Sequence, residues 1–281
     1  MKISVVLIVF NRAELMTKSL LSLNHQSLLP DEVIVTDDGS GENILNVLKE
    51  LAPKLKYKLK YVWQEHRDFR AAKARNNGVR AAKNNFLIFI DQDIISTKNY
   101  VKTFVDHAEQ NKFIVSYPVR LTKEQTKAVD ENMIEKFSYG SILKTKQLYK
   151  IKKQFVKDYV SFLQKKLSIN KKGPKLRSGV FAIHRDDFIK VNGFDEKYQG
   201  WGNEDDDLGN RLYAANIVGY NPFWSEYPIH LYHEPNHEAG NRVNKTYYEN
   251  QKKMITNSNW KCEYGFDNPL GDEQIKVIEL N

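Results

Sequence analysis

Four acidic residues in succession, Glu204-Asp205-Asp206-Asp207, follow the tetrapeptide Gly200-Trp201-Gly202-Asn203. A solvated helix start favoured by the helix dipole accounts for the carboxylates, but not for two glycines around an indole. Those suggest a tight turn that presents a flat aromatic face, as carbohydrate sites do, beside a carboxylate able to act as a base. A second acidic pair, Asp91 and Asp93 with Gln92 between them, comes directly after the apolar run Phe86 to Ile90. Two carboxylates one residue apart could share a divalent cation; oxygen ligands suit Mg²⁺ or Mn²⁺, which in turn neutralises a diphosphate. An Asp-X-Asp tripeptide alone is equally a surface turn, so its place after a buried strand is what singles it out.

Asp37-Asp38-Gly39-Ser40 consists of turn formers and could simply join strand to helix. The chemical alternative is that one carboxylate accepts the imide N–H of a uracil. Arg70, Lys73 and Arg75, with Asn76, Asn77 and Gly78, lie on a helical stretch where cations either face solvent, meet a diphosphate or hold acidic loops in place. His230, His233 and His237 fall close together, and one of them completing a metal shell is the functional reading. His233-Glu-Pro-Asn-His237 also spells the zinc-protease string, which needs a helix, and Pro235 in its middle disfavours one.

The elements that must position these groups are legible from periodicity. Ile3 to Val9, Glu32 to Thr36, Leu59 to Trp63 and Phe86 to Ile90 read as strands separated by segments long enough for crossover helices. This is the rhythm of an α/β protein with a mostly parallel sheet and helices on both faces. Ligands of such sheets sit at the carboxyl ends of the strands. Each strand there runs into polar residues: Asn11 and Arg12, then Asp37 to Ser40, then Glu65-His66-Arg67-Asp68, then Asp91 to Asp93. A helix and a strand follow over roughly Asn99 to Val119, then a Lys-rich helical stretch to about Lys172, broken at Gly173-Pro174, and a strand-like Gly179 to His184.

The chain of 281 residues, 41% hydrophobic and 28% charged, has the composition of an ordered globular protein. Its single cysteine, Cys262, excludes an intramolecular disulfide and fits a reducing, cytoplasmic setting. The apolar run Ile3 to Phe10 is too short to span a bilayer and reads as a buried strand. The net charge of +8 is concentrated: between Lys144 and Arg177 there are twelve Lys or Arg and one acidic residue, Asp158. Cations mixed with aliphatic residues at helical spacing suit an anionic membrane surface or a lid over an acceptor rather than nucleic acid, with a packed helix and solvated Lys face as the plain alternative.

In chain order these pieces resemble the nucleotide-sugar glycosyltransferases of the GT-A fold, in the large inverting bacterial family two. The resemblance covers roughly Lys2 to Gly240 and rests on Ser4 to Asn11, Val35 to Ser40, Arg75 to Gly78 and Asp91 to Asp93. Gly200 to Leu208 is similar to the acceptor-side motif of β-1,4-galactosyltransferases and chondroitin-type polymerases. The resemblance implies Asp205 as catalytic base, with Glu204, Trp201, Gly202 and Asp206 on the acceptor side. It implies Asp93, Asp91 and His233 for the metal, His233 being preferred to His230, and Asp91 facing ribose or metal. Asp38, Ile8 and Phe10 would surround the uracil of a UDP-sugar, with Arg12, Arg70, Arg75 and Gln92 completing the donor side. The expected organisation is one GT-A catalytic domain over 1–242, made of a donor half (1–119), a basic helical insertion (120–175) and an acceptor half (176–242), with a tail over 243–281. The expected activity is inverting transfer of a hexose or N-acetylhexosamine to a glycan hydroxyl in bacterial surface polysaccharide, lipopolysaccharide or capsule synthesis. The motif leans toward galactose-type donors. A non-catalytic nucleotide-sugar- or carbohydrate-binding protein of the same fold is the rival, against which the base and the metal pair argue.

Overall fold

Strand β1 (Ile3–Val9) is buried at every position, which a strand achieves only when both faces of its sheet are covered. Helix α1 (Ala13–Asn24) leads to β2 (Glu32–Asp37), α2 (Ile44–Leu51) to β3 (Lys58–Trp63), and α3 (Ala71–Ala81) to β4 (Phe86–Asp91). Strand β1 pairs in parallel with β2 and β4, and β2 with β3. The carboxyl ends of all four therefore share one edge, as expected. Alternate residues of β1 enter separate cores: Val5, Leu7 and Val9 pack with α1 and α2, whereas Val6 packs with Ile34 and Val79 of α3. Gly78 permits the close approach of α3, because a Cβ there would meet Val6 Cγ1 at 2.5 Å. That approach carries Arg75 to the sheet.

The computed structural model describes residues 1–234, 243–271 and 275–281. Beyond β4 it contains β5 (Ile94–Ser96), α4 (Tyr100–Asp106), β6 (Lys112–Val115), β7 (Val119–Arg120), α5 (Lys123–Lys127), α6 (Glu131–Lys136) and α7 (Thr145–Lys166). Then come β8 (Val180–His184), α8 (Arg185–Lys190), α9 (Glu204–Ala214), β9 (Val218–Tyr220), β10 (Pro228–His230), α10 (Lys245–Met254) and β11 (Lys276–Glu279). The large sheet has the order β11-β3-β2-β1-β4-β8-β6-β9, and a second sheet has the order β5-β10-β7. Strand β8 runs antiparallel to β4 and β6, and β11 antiparallel to β3. The architecture is the expected α/β one, with a mostly parallel central sheet flanked by helices.

Two expectations need revision. The Lys-rich stretch is not one helical run: Thr122 and Asp130 side chains cap new helices at α5 and α6, so only α7 is long. Its single acid, Asp158, is buried and accepts from Arg177, Gln154 and Asn221, which fastens α7 to the body of the protein. The residues set apart as a tail also join the fold. Strand β11 extends the sheet beside β3, Arg80 Nε donates to the Phe266 carbonyl at 3.0 Å, and Asn192 Nδ2 donates to the Cys262 carbonyl at 2.9 Å.

Candidate active site

The small sheet assembles a ligand cluster. Strand β5 begins just after Asp93 and β10 ends at His230, which pairs with Ile94 in antiparallel register; Leu231 N donates to the Asp93 carbonyl at 2.8 Å. His233 Nε2 thereby lies 2.9 Å, and His230 Nε2 3.5 Å, from Asp93 Oδ2. Burial works against the Asp93 carboxylate, yet the His233 hydrogen bond and the charges of His230, His233 and Arg12 hold it below the usual range. Its other oxygen, Oδ1, is buried with no hydrogen-bond partner among the described residues. Such an orphan calls for a ligand. The ligand atoms of Asp93, His230 and His233 lie within 4.8 Å of one another, and a mixed carboxylate and imidazole set favours a transition ion such as Mn²⁺ over Mg²⁺, which prefers oxygen alone. His230 thus stands beside His233 rather than being replaced by it. Pro235, Asn236 and His237 of the zinc-protease string lie outside the described residues.

Asp91 is not part of that cluster, although it was expected to face ribose or metal. Its Oδ1 accepts from Arg75 Nη2 at 3.0 Å, and Gly179 packs so closely that a Cβ there would fall 2.0 Å from Asp91 Oδ2. Arg75 Nη1 also reaches Glu204 Oε1 at 3.4 Å, and its guanidinium lies 5.4 Å from the centre of the Phe194 ring. The Arg75 side chain is 6% exposed. Burial opposes its charge, but Asp91 and Glu204 more than restore it and raise its pKa. Of the roles open to this cation, the one realised is to hold the two acidic motifs together.

Across that bridge, Gly200, Gly202 and Asn203 adopt φ of 79°, 99° and 76°, left-handed values that the two glycines reach at no steric cost and that asparagine tolerates better than most residues. Gly200 N donates to the Phe69 carbonyl at 2.7 Å, which seats the turn on the loop before α3. Helix α9 then starts at Glu204, and its four carboxylates take separate fates. Glu204 meets Arg75; Asp206 pairs with Lys175 at 2.8 Å; Asp207 turns inward to Arg211 at 2.7 Å. Asp205 remains, its Oδ1 accepting only from the Asp206 backbone N–H among the described hydrogen bonds. Burial and the neighbouring Glu204 and Asp206 carboxylates push it up to about 7, the range in which a general base works best.

A cleft of about 510 Å³ is lined by the expected Ile8, Phe10, Arg12, Arg75, Asp91, Gln92, Asp93, Trp201 and His233, together with His230; of the acceptor-side residues Trp201 alone lines it, and Gly202, Glu204, Asp205 and Asp206 do not. Trp201 is 44% exposed at its rim. Gln92 serves as a brace: its amide exchanges two hydrogen bonds of 3.1 Å with the Phe10 backbone. Asp38 departs from its expected role. It is fully buried, Oδ1 accepts from Gln64 Nε2 at 2.5 Å and Oδ2 from Arg70 N at 2.7 Å, and burial pushes its pKa up to about 6. Both oxygens are thus engaged within the protein, Oδ2 at the start of α3 and Oδ1 with Gln64 just after β3. Arg70 is likewise buried, donates to the Glu65 carbonyl and does not line the cleft. What remains at this end is an apolar wall, where Phe10 stacks on His66 with centroids 4.8 Å apart. Phe69, Arg120, Leu121 and Tyr232 also line the cleft. Sequence reading did not single them out. Tyr232 had the adjacent His233 as a signal, whereas Arg120 and Leu121 belong to no motif.

A model of glycosyl transferase family 2 matches residues 4–171, and a model described as the N-terminal domain of galactosyltransferase matches residues 160–234. The validoxylamine A glucosyltransferase of Streptomyces hygroscopicus subsp. limoneus is 29% identical over 262 residues, covering 84% of this chain and 53% of that one. The chondroitin synthase of Pasteurella multocida is 26% identical over 257 residues, covering 86% of this chain and 26% of the synthase. The chain therefore spans about half of the first relative and about a quarter of the second. Among solved structures, residues 1–349 of S. aureus TarS in complex with UDP-GlcNAc superpose with a TM-score of 0.63 at 18% identity, covering 91% of this chain and 65% of that one.

Proposed function

The chain belongs to glycosyl transferase family 2, and from that premise we propose that it transfers a hexose or N-acetylhexosamine from a UDP-sugar to a hydroxyl of a glycan acceptor, with inversion. The observation that carries the proposal is the Arg75 bridge, which sets Asp91 of the donor motif and Glu204 of the acceptor motif at the two ends of one guanidinium. The Asp93, His230 and His233 cluster lies in the same cleft. The TarS structure, in complex with UDP-GlcNAc, supports a UDP-sugar donor. The galactosyltransferase model, which spans the Gly-Trp-Gly turn, supports the galactose-type lean.

In this reading the donor base lies against Ile8 and Phe10, Asp91 faces the ribose and Arg12 the diphosphate. Asp93, His230 and His233 hold a divalent cation, Mn²⁺ by preference; when bound, it neutralises charge on the departing diphosphate. Trp201 offers its ring to the acceptor sugar while Glu204 and Asp206 border it. Asp205 takes the proton from the acceptor hydroxyl as that oxygen attacks the anomeric carbon, whose bond to the diphosphate oxygen breaks on the opposite face. A single displacement of this kind inverts the anomeric centre. The setting proposed is bacterial surface polysaccharide, lipopolysaccharide or capsule synthesis at the cytoplasmic side, where the lone, buried Cys262 needs no partner.

The test is a panel of UDP-hexoses and UDP-N-acetylhexosamines offered with Mn²⁺ and short glycan acceptors. Transfer with an inverted anomeric signal by NMR is the expected result. Nucleotide binding with neither transfer nor donor hydrolysis across the panel would favour a binding protein instead.

A further inference from the structure

Seven of the thirteen exposed large hydrophobic side chains among the described residues fall between positions 149 and 169: Tyr149, Val156, Tyr159, Val160, Leu163, Leu167 and Ile169. Most lie on α7, whose only buried residues are Ile151 and Asp158. Tyr149, Lys153, Val156, Val160 and Leu163 follow one another along its outward face at steps of three or four, with Lys146, Lys150 and Lys157 beside them, all exposed. Because Asp158 is turned inward to Arg177 and Asn221, this face carries no acid. An aromatic residue adjoins it: Trp224 is 49% exposed, meets Phe155 edge-on at 5.0 Å and lies under Lys152.

We infer that the outward face of α7, with the turn that follows it and Trp224, docks onto an anionic lipid bilayer. A helix that only faced water would gain nothing from exposed Val, Leu and Tyr. A second copy would bring lysines against lysines. An anionic bilayer answers both features: apolar side chains and rings enter the headgroup boundary, and lysine stems lie along it with their ammonium groups on lipid phosphates. The docked helix is also tied to the cleft. Gln147 donates to the carbonyl of Arg120, a cleft-lining residue, at 2.7 Å, so the start of the docked helix adjoins the cleft wall. The docking does not depend on the transfer reaction.

The experiment is co-sedimentation of the full chain with vesicles of phosphatidylcholine alone and of phosphatidylcholine with about a third phosphatidylglycerol. Sedimentation with the anionic vesicles only, weakened by high salt, is expected. Replacing Lys150, Lys153 and Lys157 together by Gln should weaken it by about a hundredfold, at roughly fivefold for each lysine near the surface. Val156→Ser with Leu163→Ser should weaken it while leaving the salt dependence. Thermal melting and UDP binding of both variants should match the parent, because the positions are exposed and outside the cleft. Absence of sedimentation with either vesicle, equal sedimentation with both, or full binding by the lysine variant would overturn the inference; the first result would leave the face to an acidic protein.

Discussion

His233 Nε2 lies 2.9 Å from Asp93 Oδ2, a contact between residues far apart in the chain that exists because β10 and the segment after it lie along β5. With Asp93 Oδ1 lacking a hydrogen-bond partner among the described residues, the pair suits the proposed cation site better than a finished salt bridge. His233→Ala should weaken Mn²⁺ binding by at least about tenfold, the scale on which even supporting residues of metal sites act. His230→Ala, at the longer distance, should cost less. Titration followed by the Mn²⁺ paramagnetic resonance signal reads both; an unchanged affinity in His233→Ala removes it from the ligand set.

Asp205→Asn keeps the shape of the side chain and removes its basicity. Turnover should fall by about 10²- to 10⁴-fold, with UDP binding and melting temperature close to the parent. Near-normal turnover would reassign the base.

The acid limb of the rate profile should report the same group. On the proposed mechanism transfer needs ionised Asp205, whose carboxyl is pushed up to about 7. Below that pH, kcat/KM should fall about tenfold per unit as the proton occupies the base. The Asp206 carboxylate is one cause of the elevation; removing a like charge favours the ionised form, so Asp206→Asn should move the limb to lower pH. A limb that stays in place, or moves upward, contradicts the assignment.

Arg75 has two carboxylates to satisfy, and a lysine can reach only one. Arg75→Lys should leave either Asp91 or Glu204 without its partner and lower kcat/KM by about five- to 150-fold, what a loss of 1–3 kcal/mol from an unpaired, partly buried carboxylate implies. Thermal unfolding should register a similar loss. A variant with parental kinetics and stability would show that the bridge holds nothing.

Alternation and helical spacing are local properties, so the first four strands, the helices between them and the polar ends that converge on one edge were already legible in the sequence. The candidate base and the candidate metal carboxylate were legible for a related reason: Asp205 and Asp93 lie inside short runs whose residue types suit the proposed chemistry. Pairing and burial are not local. Whether His230 joins His233 depends on the register of β10 on β5, and whether residues 276–279 stand apart or extend the sheet depends on an edge of β3 formed far earlier in the chain. Asp38 shows the same limit within one motif. Its position after β2 suggested a ligand contact, but the backbone N–H of Arg70 and the amide of Gln64 claimed both oxygens once α3 had packed against the sheet. Only the tertiary structure, by deciding which polar groups lose water together, could turn Arg75 toward Asp91 and Glu204 at once and leave Asp93 Oδ1 without a partner among the described residues.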